Sequence, residues 1–336
     1  MARRLVFMGS DSIALPALDW LWTDGRSFAE LVAVYTQPDR PHGRGQKVAP
    51  NAIKAWALER GLPVHQPEKL TLEARESFAA LAPDAALVMA YGHILRQDWI
   101  DAPAFSIWNL HASLLPRYRG ASPIQGAIAN GERASGVCLM RIVRALDAGP
   151  VLDREGVPID ARDTAADLEA KLAAGCVPLL ARSLSRAFAP EPAVIEQDHA
   201  QATFTRRLRK EDGRLDFHAP AEVLARRINA LFPWPGAFFP LEGETIRAGL
   251  AEVAPADAFP FAISHAAAPG TILAADAAGL AIAAGAGGAV RLLRLQKPCG
   301  KMLAAGDFLR GHAARPGTIL ESAAMPELVA VQPFKG

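Results

Sequence analysis

Three polar residues in otherwise apolar sequence, Asn109, His111 and Asp147, have side chains suited to acyl-transfer chemistry in this 336-residue chain. The amide of Asn109 can donate a hydrogen bond to a developing oxyanion, and the imidazole of His111 can give or take a proton near neutral pH. The carboxylate of Asp147 is expected to fold back against that imidazole and to fix its tautomer. No nucleophile is evident, because Ser113 lacks the G-x-S-x-G turn that would present it.

The spacing of these residues predicts where they lie in the fold. Asn109 and His111 are two residues apart, so on an extended segment their side chains share a face. The run 105–108 predicts a short buried strand, and Leu-Leu-Pro at 114–116 ends regular structure. The pair is therefore expected at the carboxyl end of a strand, where open parallel sheets bind ligands. Taken singly, each polar residue is more often a core or turn residue that satisfies backbone groups.

The elements around the trio alternate between strand and helix patterns. Apolar runs predict strands at 5–8, 31–35, 85–90 and 105–108, and helical patterns cover 15–22, 51–60, 72–82, a segment opening at Pro123, and 164–184. This alternation is typical of a parallel sheet with crossover helices. The turn at 9–12 is predicted to place a Ser or Asp as a helix N-cap, and it lacks the G-x-G-x-x-G nucleotide fingerprint.

The second half of the chain has a different sequence pattern. After a Pro-rich break at 189–192, short strands separated by Gly turns are predicted at 237–241, 245–250, 270–274, 279–283 and 290–295. Such spacing is typical of a small antiparallel barrel, and the Ala- and Gly-rich stretch 274–289 is expected to form thin hairpins. We expect a catalytic domain at 1–188, a linker at 189–203, a second domain at 204–318, and a tail at 319–336 with no motif that indicates a role.

Composition limits the class of protein. With 51% hydrophobic residues the chain can bury large cores, and with 36 basic against 35 acidic residues any polyanion must be met by local basic patches. The amino terminus runs directly into a predicted strand, and no apolar run reaches about 18 residues, so a cytoplasmic protein is expected. Cys138, Cys176 and Cys299 form no CxxC, which suits reduced thiols, and the dispersed histidines predict no metal. A monomer is expected, since no long apolar helix requires a partner.

One long motif connects these observations to a known family. The pattern N-x-H-x-S-L-L-P-x-x-R-G from Asn109 to Gly120, followed by L-D-x-G from Leu146 to Gly149, resembles the signature of the 10-formyltetrahydrofolate-dependent formyltransferases. The resemblance implies an α/β fold, a Rossmann-like open parallel sheet followed by a small OB-like antiparallel β-barrel domain. It also implies that the trio is the catalytic set.

Further segments favour the methionyl-tRNA branch of that family. They are 35–47, 90–95, 204–217 and 232–237, and the similarity runs from about residue 5 to about residue 312. In that branch the formyl group of 10-formyltetrahydrofolate passes to the free amino group of methionyl-initiator tRNA, with no metal. The folate contacts implied are Ala90, Tyr91, Gly92, Ile94, Leu95, Ser113, Leu114, Leu115 and Pro116. The tRNA contacts implied are Arg40, Arg44, Lys47, Arg206, Arg207, Arg209 and Lys210.

Two departures and two alternatives remain at this point. Gly9-Ser10-Asp11-Ser12 stands where the family more often has Gly-Thr-Pro, and Ala148 replaces a commoner Thr. One alternative keeps the formyl donor and takes an amino sugar nucleotide as acceptor; the basic segments argue against it. The other is a non-catalytic RNA-binding protein on the same scaffold; the intact polar trio argues against it.

Overall fold

The structure is a computed structural model that describes residues 3–42, 47–255 and 267–334; the side chains of His42 and Lys47 are outside the description. The chain divides into two compact units. The first contains Met1–Arg119, Ser135–Val157 and Glu169–Ala202, and the second contains Gly120–Ala134, Pro158–Leu168 and Thr203–Gly336. The two short middle segments thus pack with the carboxyl-terminal part of the chain. The sequence-based boundaries at 188, 203 and 318 stay a prediction.

Most strands of the amino-terminal half build one mostly parallel sheet. The strands of this half are β1 (Arg3–Gly9), β2 (Ala29–Tyr35), β3 (Arg40–His42), β4 (Lys47–Ala49), β5 (Val64–His65), β6 (Ala85–Met89), β7 (Ser106–His111), β8 (Arg119–Gly120), β9 (Ala134–Arg141) and β10 (Val151–Pro158), of which β3, β4 and β8 lie outside that sheet. The sheet has the order β10-β9-β7-β6-β1-β2-β5. Its pairs from β5 across to β7 are parallel, and β9 joins β7 antiparallel. Residues 5–8 of β1 and all of β6 are continuous apolar runs because parallel strands are covered on both faces.

Helices lie at every predicted place, and within the described residues the structure adds three that the sequence did not predict, at Gln97–Ile100, Ala221–Ala230 and Ala305–Arg310. The helices are α1 (Leu15–Trp22), α2 (Ala52–Glu59), α3 (Leu72–Ala80), α4 (Gln97–Ile100), α5 (Pro123–Ala129), α6 (Ala165–Ala187), α7 (Ala221–Ala230) and α8 (Ala305–Arg310). Asn51 and Thr71 are N-caps whose side chains accept a hydrogen bond from a backbone N–H three residues later. Asp11 caps the 3₁₀ turn Ser12–Ala14 by accepting from Ile13 N, two residues later, which confirms the predicted N-cap after β1. No helix within the described ranges is long and apolar enough to cross a bilayer.

The second unit is built on an antiparallel sheet. Its strands are β11 (Phe204–Thr205), β12 (Ala237–Leu241), β13 (Glu244–Val253), β14 (Ile272–Asp276), β15 (Gly279–Ala283), β16 (Ala289–Gln296), β17 (Leu303–Ala304) and β18 (Val329–Ala330). The main order is β12-β13-β16-β15-β14, with β17 on β16. α7 packs Leu224 and Ile228 into the apolar core against Phe217, Phe239 and Ile246. The expected fold class, a mostly parallel α/β sheet followed by an antiparallel domain, is confirmed.

The tail beyond residue 318 is an integral part of the second unit. Its backbone pairs with the loop before β14, since Leu320 N donates to Gly270 O at 2.9 Å. Farther on, β18 pairs antiparallel with β11, and Leu328 is buried against Leu208 and Leu231. The segment for which the sequence indicated no role therefore closes the edge and part of the core of this unit.

Candidate active site

β7 places Asn109 and His111 at the carboxyl end of an internal strand. Asn109 pairs with Val88 of β6 on one side and with Met140 of β9 on the other. Leu110 lies between the two polar residues, faces the opposite side of the sheet and is buried. Asn109 is half-buried, and the structure records no hydrogen bond to its side-chain amide within the described residues. The strand position expected from the spacing is confirmed.

The tautomer of His111 is set by a backbone carbonyl. Nε2 of the buried imidazole lies 3.0 Å from Tyr118 O, and because a carbonyl only accepts, Nε2 carries the hydrogen. Nδ1 lies 3.8 Å from Asp147 Oδ2, which is too long for a direct hydrogen bond. The expectation that Asp147 fixes the tautomer was therefore wrong; Tyr118 does so. Nδ1 is the nitrogen that can take a proton, with the carboxylate beside it.

Both residues that face the imidazole have left-handed backbone conformations. Tyr118 has φ 60° and Asp147 has φ 47°, values that residues other than glycine seldom adopt. Such conformations are held by the surrounding structure and concentrate at functional sites. Here Tyr118 directs its carbonyl to Nε2 of His111, and Asp147 places its carboxylate beside Nδ1.

The Asp147 turn, residues 145–149, lies in the loop between β9 and β10. Arg141 N donates to Pro150 O at 2.9 Å and closes the base of this loop. A Cβ on Gly149 would lie 1.9 Å from Arg141 O, so only glycine fits that close approach. The Gly of the L-D-x-G motif is thus required by packing, and it fixes the path of the chain just after Asp147.

Two buried residues hold this turn, and the sequence indicated neither of them in that role. Gln197 Nε2 donates to Asp147 O at 2.8 Å and to Gly149 O at 2.7 Å. Arg119 donates to Gln197 Oε1 from Nε at 3.2 Å and from Nη2 at 2.6 Å, and Nη2 also contacts His199 Nδ1 at 2.8 Å. Burial lowers the pKa of Arg119, and the charge of Asp147 opposes that shift. Arg119 stands within the long motif, whereas Gln197 and His199 lie in the predicted linker, where no pattern marks them.

Ser10 joins the turns that follow three neighbouring strands. Its Oγ donates to Tyr91 O at 3.3 Å and accepts from Gln37 N at 3.0 Å, and Gln37 Nε2 donates to Tyr91 O at 3.1 Å. The departure from the family pattern at residues 9–12 therefore retains a hydroxyl with a clear structural role.

The loop at 90–95 presents some of its predicted folate contacts and buries others. Ala90 and Gly92 are exposed and have positive φ values of 49° and 83°. Ile94 is 83% exposed, whereas Tyr91 and Leu95 are buried in the core of the first unit. The loop thus offers backbone groups and one apolar side chain to a ligand.

The other predicted folate contacts, 113–116, are mostly packed. Ser113 is fully buried and donates to Arg117 O at 2.7 Å, which stabilises the turn. Leu115 is buried in a cluster with Cys138, Met140 and Val151. Leu114 and Pro116 are half-buried. A folate role for this segment stays a prediction.

A cavity of about 430 Å³ lies beside β7, the strand that carries Asn109 and His111. Its walls belong to the first unit, and they are Gln97, Ile100, Asp101, Pro103, Phe105, Ser106, Ile107, Arg141, Ile142, Val143 and Arg144. Ile142 N donates to Ile107 O at 2.8 Å, so one wall is the start of the loop that leads to Asp147. None of the nine predicted folate residues lines it. Ile107, the apolar residue two positions before Asn109, is the sequence feature that could have indicated this cavity.

Comparisons with known proteins place this geometry in a family. The formyl transferase model matches residues 3–183, and the model of the formyl transferase C-terminal domain matches residues 207–313. A methionyl-tRNA formyltransferase of Gluconobacter oxydans (strain 621H) is 43% identical over 319 residues, which cover 94% of this chain and 99% of that protein. The chain belongs to the methionyl-tRNA formyltransferase family. A family member from Ectopseudomonas mendocina (strain ymp) is 43% identical over 320 residues, 94% of this chain and 98% of that protein.

Solved structures share the fold of this family at low sequence identity. A sugar 3N-formyl transferase, WlaRD, solved in the presence of dTDP and 5-N-formyl-THF, superposes with a TM-score of 0.64 at 18% identity, covering 88% of this chain and 98% of that one. An N-formyltransferase from Helicobacter canadensis gives a TM-score of 0.64 at 17% identity, covering 89% and 100%. Both confirm the formyltransferase fold.

The first basic stretch predicted to contact tRNA in this family begins and ends in two short paired strands. β3 and β4 pair antiparallel from Arg40 with Ala49 to His42 with Lys47, and residues 43–46 between them lie outside the described residues. Arg40 is exposed. Arg44 lies outside the described residues, and so does the side chain of Lys47.

The second basic stretch, which we call the basic segment, is residues 206–210. Arg206 is not a free surface cation, because its guanidinium contacts both oxygens of Asp212, at 2.9 and 2.6 Å, and Glu327 O at 2.9 Å. Arg207, Arg209 and Lys210 are exposed. The structure therefore separates one structural arginine from the cations available to a partner. Within the described ranges no group of His, Cys, Asp and Glu could hold a metal ion.

Proposed function

We propose that this chain transfers the formyl group of 10-formyltetrahydrofolate to the amino group of methionyl-initiator tRNA, giving formylmethionyl-tRNA for translation initiation. The observation that carries the proposal is the buried His111, whose Nδ1 lies 3.8 Å from Asp147 Oδ2 at the carboxyl end of β7. The 43% identity to methionyl-tRNA formyltransferases over nearly the whole chain supports methionyl-tRNA as the acceptor.

The proposed chemistry is direct attack of the amine. The amino nitrogen forms a bond to the formyl carbon, and the formyl oxygen gains negative charge that the Asn109 amide stabilises by donating a hydrogen bond. A proton leaves the amine for Nδ1 of His111 and is delivered to N10 as the bond between N10 and the formyl carbon breaks. The Asp147 carboxylate stabilises the imidazolium in between. No covalent enzyme intermediate is needed, since the donor is already activated.

The cavity beside β7 suits the folate. Its volume of about 430 Å³ lies in the range of about 300–1,000 Å³ found for small-molecule sites. Ile100, Ile107 and Val143 supply apolar parts of its wall, against which a flat ring can pack. The rest of the wall is largely polar and includes Asp101, Arg141 and Arg144. We expect Val143→Trp to raise the KM for 10-formyltetrahydrofolate by about tenfold or more while the KM for tRNA stays within about twofold. Leu58→Trp, at an exposed position on α2, is the matched control. An unchanged folate KM would place the folate elsewhere.

The acceptor is proposed to contact exposed cations of the first basic stretch and of the basic segment. Arg40, Arg207, Arg209 and Lys210 carry charge at the surface, where a phosphate backbone can meet it. Arg44 and Lys47 are proposed for the same role on the sequence alone. A cytoplasmic monomer fits this reaction.

One assay tests the function. Purified protein is incubated with 10-formyltetrahydrofolate and methionyl-initiator tRNA, and acid-stable formyl-methionine is measured. Parallel reactions omit the donor or replace the acceptor with an amino sugar nucleotide. Formyl-methionine that depends on the donor supports the proposal. Formylation of the amino sugar alone, or tRNA binding with no formyl transfer, contradicts it.

A further inference from the structure

Gln197 lies in the segment after α6, far in sequence from the catalytic trio, yet its side chain ends at the Asp147 turn. Resting on the function proposed above, we infer that Gln197 is a positioning residue for formyl transfer. It holds Asp147 where the carboxylate can face Nδ1 of His111, and Arg119 holds the orientation of the Gln197 amide.

The hydrogen bonds of the Gln197 amide are all directed by its surroundings. Its two N–H groups match two carbonyl acceptors on either side of Ala148, Asp147 O and Gly149 O. Its Oε1 accepts from Nε and Nη2 of Arg119, which has no acceptor of its own. A flipped amide would set oxygen against two carbonyls and N–H against a cation. Only one orientation satisfies these partners, so the side chain acts as a fixed clamp.

The contacts of the Gln197 clamp add to weak local hydrogen bonding in the Asp147 turn. Asp147 has a left-handed backbone, and Ala148 N donates to Ala145 O at 3.3 Å, which is a long hydrogen bond. Leu146 is 57% exposed and adds little packing. Without the clamp the turn can relax toward an ordinary backbone conformation, which would carry the carboxylate away from the imidazole.

Arg119 completes the arrangement from the buried side. It is 5% exposed and contacts His199 Nδ1 at 2.8 Å in addition to Gln197. Its charge also faces Asp147, the interaction that opposes the effect of burial on Arg119. The cation therefore fixes the clamp from the side opposite the two carbonyls.

Kinetics separate positioning from a role in stability alone. A residue that only stabilises the fold lowers the fraction of active protein, whereas a positioning residue lowers kcat of the molecules that remain folded. The rates are therefore expressed per folate-binding site, counted by titration with a folate analogue, and thermal unfolding of each variant is recorded.

Two variants and a control test the inference. Gln197→Leu removes the clamp and is expected to lower kcat by about 10²-fold, the effect of displacing a catalytic group by about 1 Å, with both KM values within about threefold. Gln197→Glu keeps an oxygen for Arg119, and so keeps the fold, but has no N–H for the two carbonyls; the same loss of kcat is expected. Gln201→Leu, an exposed glutamine bonded to Asp198, should behave as the parent.

The outcomes separate this inference from the proposed function. Loss of kcat in both Gln197 variants at full folate stoichiometry supports the clamp, and if Gln197→Leu does not fold, Gln197→Glu decides. If Gln197→Glu keeps kcat within about threefold of the parent while Asp147→Asn loses it, the clamp is refuted and the function stands. A parent protein that forms no formyl-methionine refutes the function itself.

Discussion

The Asp147 turn and the basic segment 206–210 use polar side chains in opposite ways. Around the turn, Gln197 and Arg119 are buried and their hydrogen bonds define one geometry. In the segment, Arg206 is held by an ion pair and the other basic side chains are exposed to solvent. A group that the fold holds acts through its position, so its loss should change kcat. An exposed cation acts through its charge, so its loss should change tRNA affinity and the dependence on salt.

The largest effect is expected at the carboxylate of the turn. Asp147→Asn keeps the size of the side chain but removes the charge that faces Nδ1 of His111. Because the carboxylate is proposed to stabilise the imidazolium that forms when His111 takes the proton, kcat should fall by up to about 10⁴-fold, the upper range for general acid–base catalysis. Steady-state formylation with both substrates saturating measures it. Asp24→Asn, at an exposed position, should leave kcat unchanged. If Asp147→Asn raised only the KM for tRNA, Asp147 would act in tRNA binding, as the exposed cations are proposed to do, and not in the chemical step.

A smaller loss of kcat is expected at Asn109. Asn109→Ala removes the proposed donor to the oxyanion and should lower kcat by about 10²–10³-fold. The KM for each substrate should change little, because the interaction forms only as charge develops. Single-turnover formylation at saturating folate measures the chemical step directly. A normal single-turnover rate with slow release of product would contradict an oxyanion role.

Local pattern predicted the elements that carry the trio. The spacing of Asn109 and His111 predicted their place at the end of β7, and the predicted helix at 15–22 matches α1 (Leu15–Trp22). These features depend on neighbours in sequence, such as alternation along a strand or apolar spacing along a helix. Turn and strand patterns are therefore sufficient to find them.

What the sequence did not predict depends on distant partners. Gln197 meets Asp147 fifty residues away, and β18 pairs with β11 across more than a hundred residues. No periodicity marks either contact. Arg206 and Asp212 are only six residues apart, but a run of arginines reads as a surface patch unless burial of the carboxylate is known. The tautomer of His111 likewise depends on the left-handed backbone at Tyr118, which a tyrosine does not signal.

The ion pair of Arg206 should contribute to stability and leave catalysis unchanged. Asp212 is 1% exposed; burial raises its pKa, but the hydrogen bond from Arg206 and the N–H of Arg209 outweigh burial and hold the pKa below its usual value. Asp212→Asn should lower the free energy of unfolding by about 3 kcal/mol at pH 7, because it leaves a half-buried guanidinium unpaired. The kcat per folate-binding site should stay within about twofold of the parent.

The pH dependence of that loss follows from the lowered pKa. A carboxylate with a lowered folded pKa stabilises the protein above its unfolded pKa of about 3.9, and this contribution is lost as the pH falls through the folded value. Denaturant unfolding of the parent and of Asp212→Asn should therefore differ fully at pH 7 and converge in acid. An equal difference at both pH values would show that the effect does not arise from the charge.

The smallest effects are expected at the exposed cations of the basic segment. They test whether these cations act through their charge and not through a fixed position. Arg207→Ala, Arg209→Ala and Lys210→Ala should each raise the KM for tRNA and reduce the slope of log affinity against log salt by about one, if each neutralises one phosphate. Arg206→Ala provides the contrast within the same segment, because its guanidinium already neutralises Asp212. It should lower the free energy of unfolding and leave the slope unchanged. A slope that falls for Arg206→Ala as much as for its neighbours would mean that tRNA competes with Asp212 for this arginine, and the distinction between held and exposed cations would not apply to this segment.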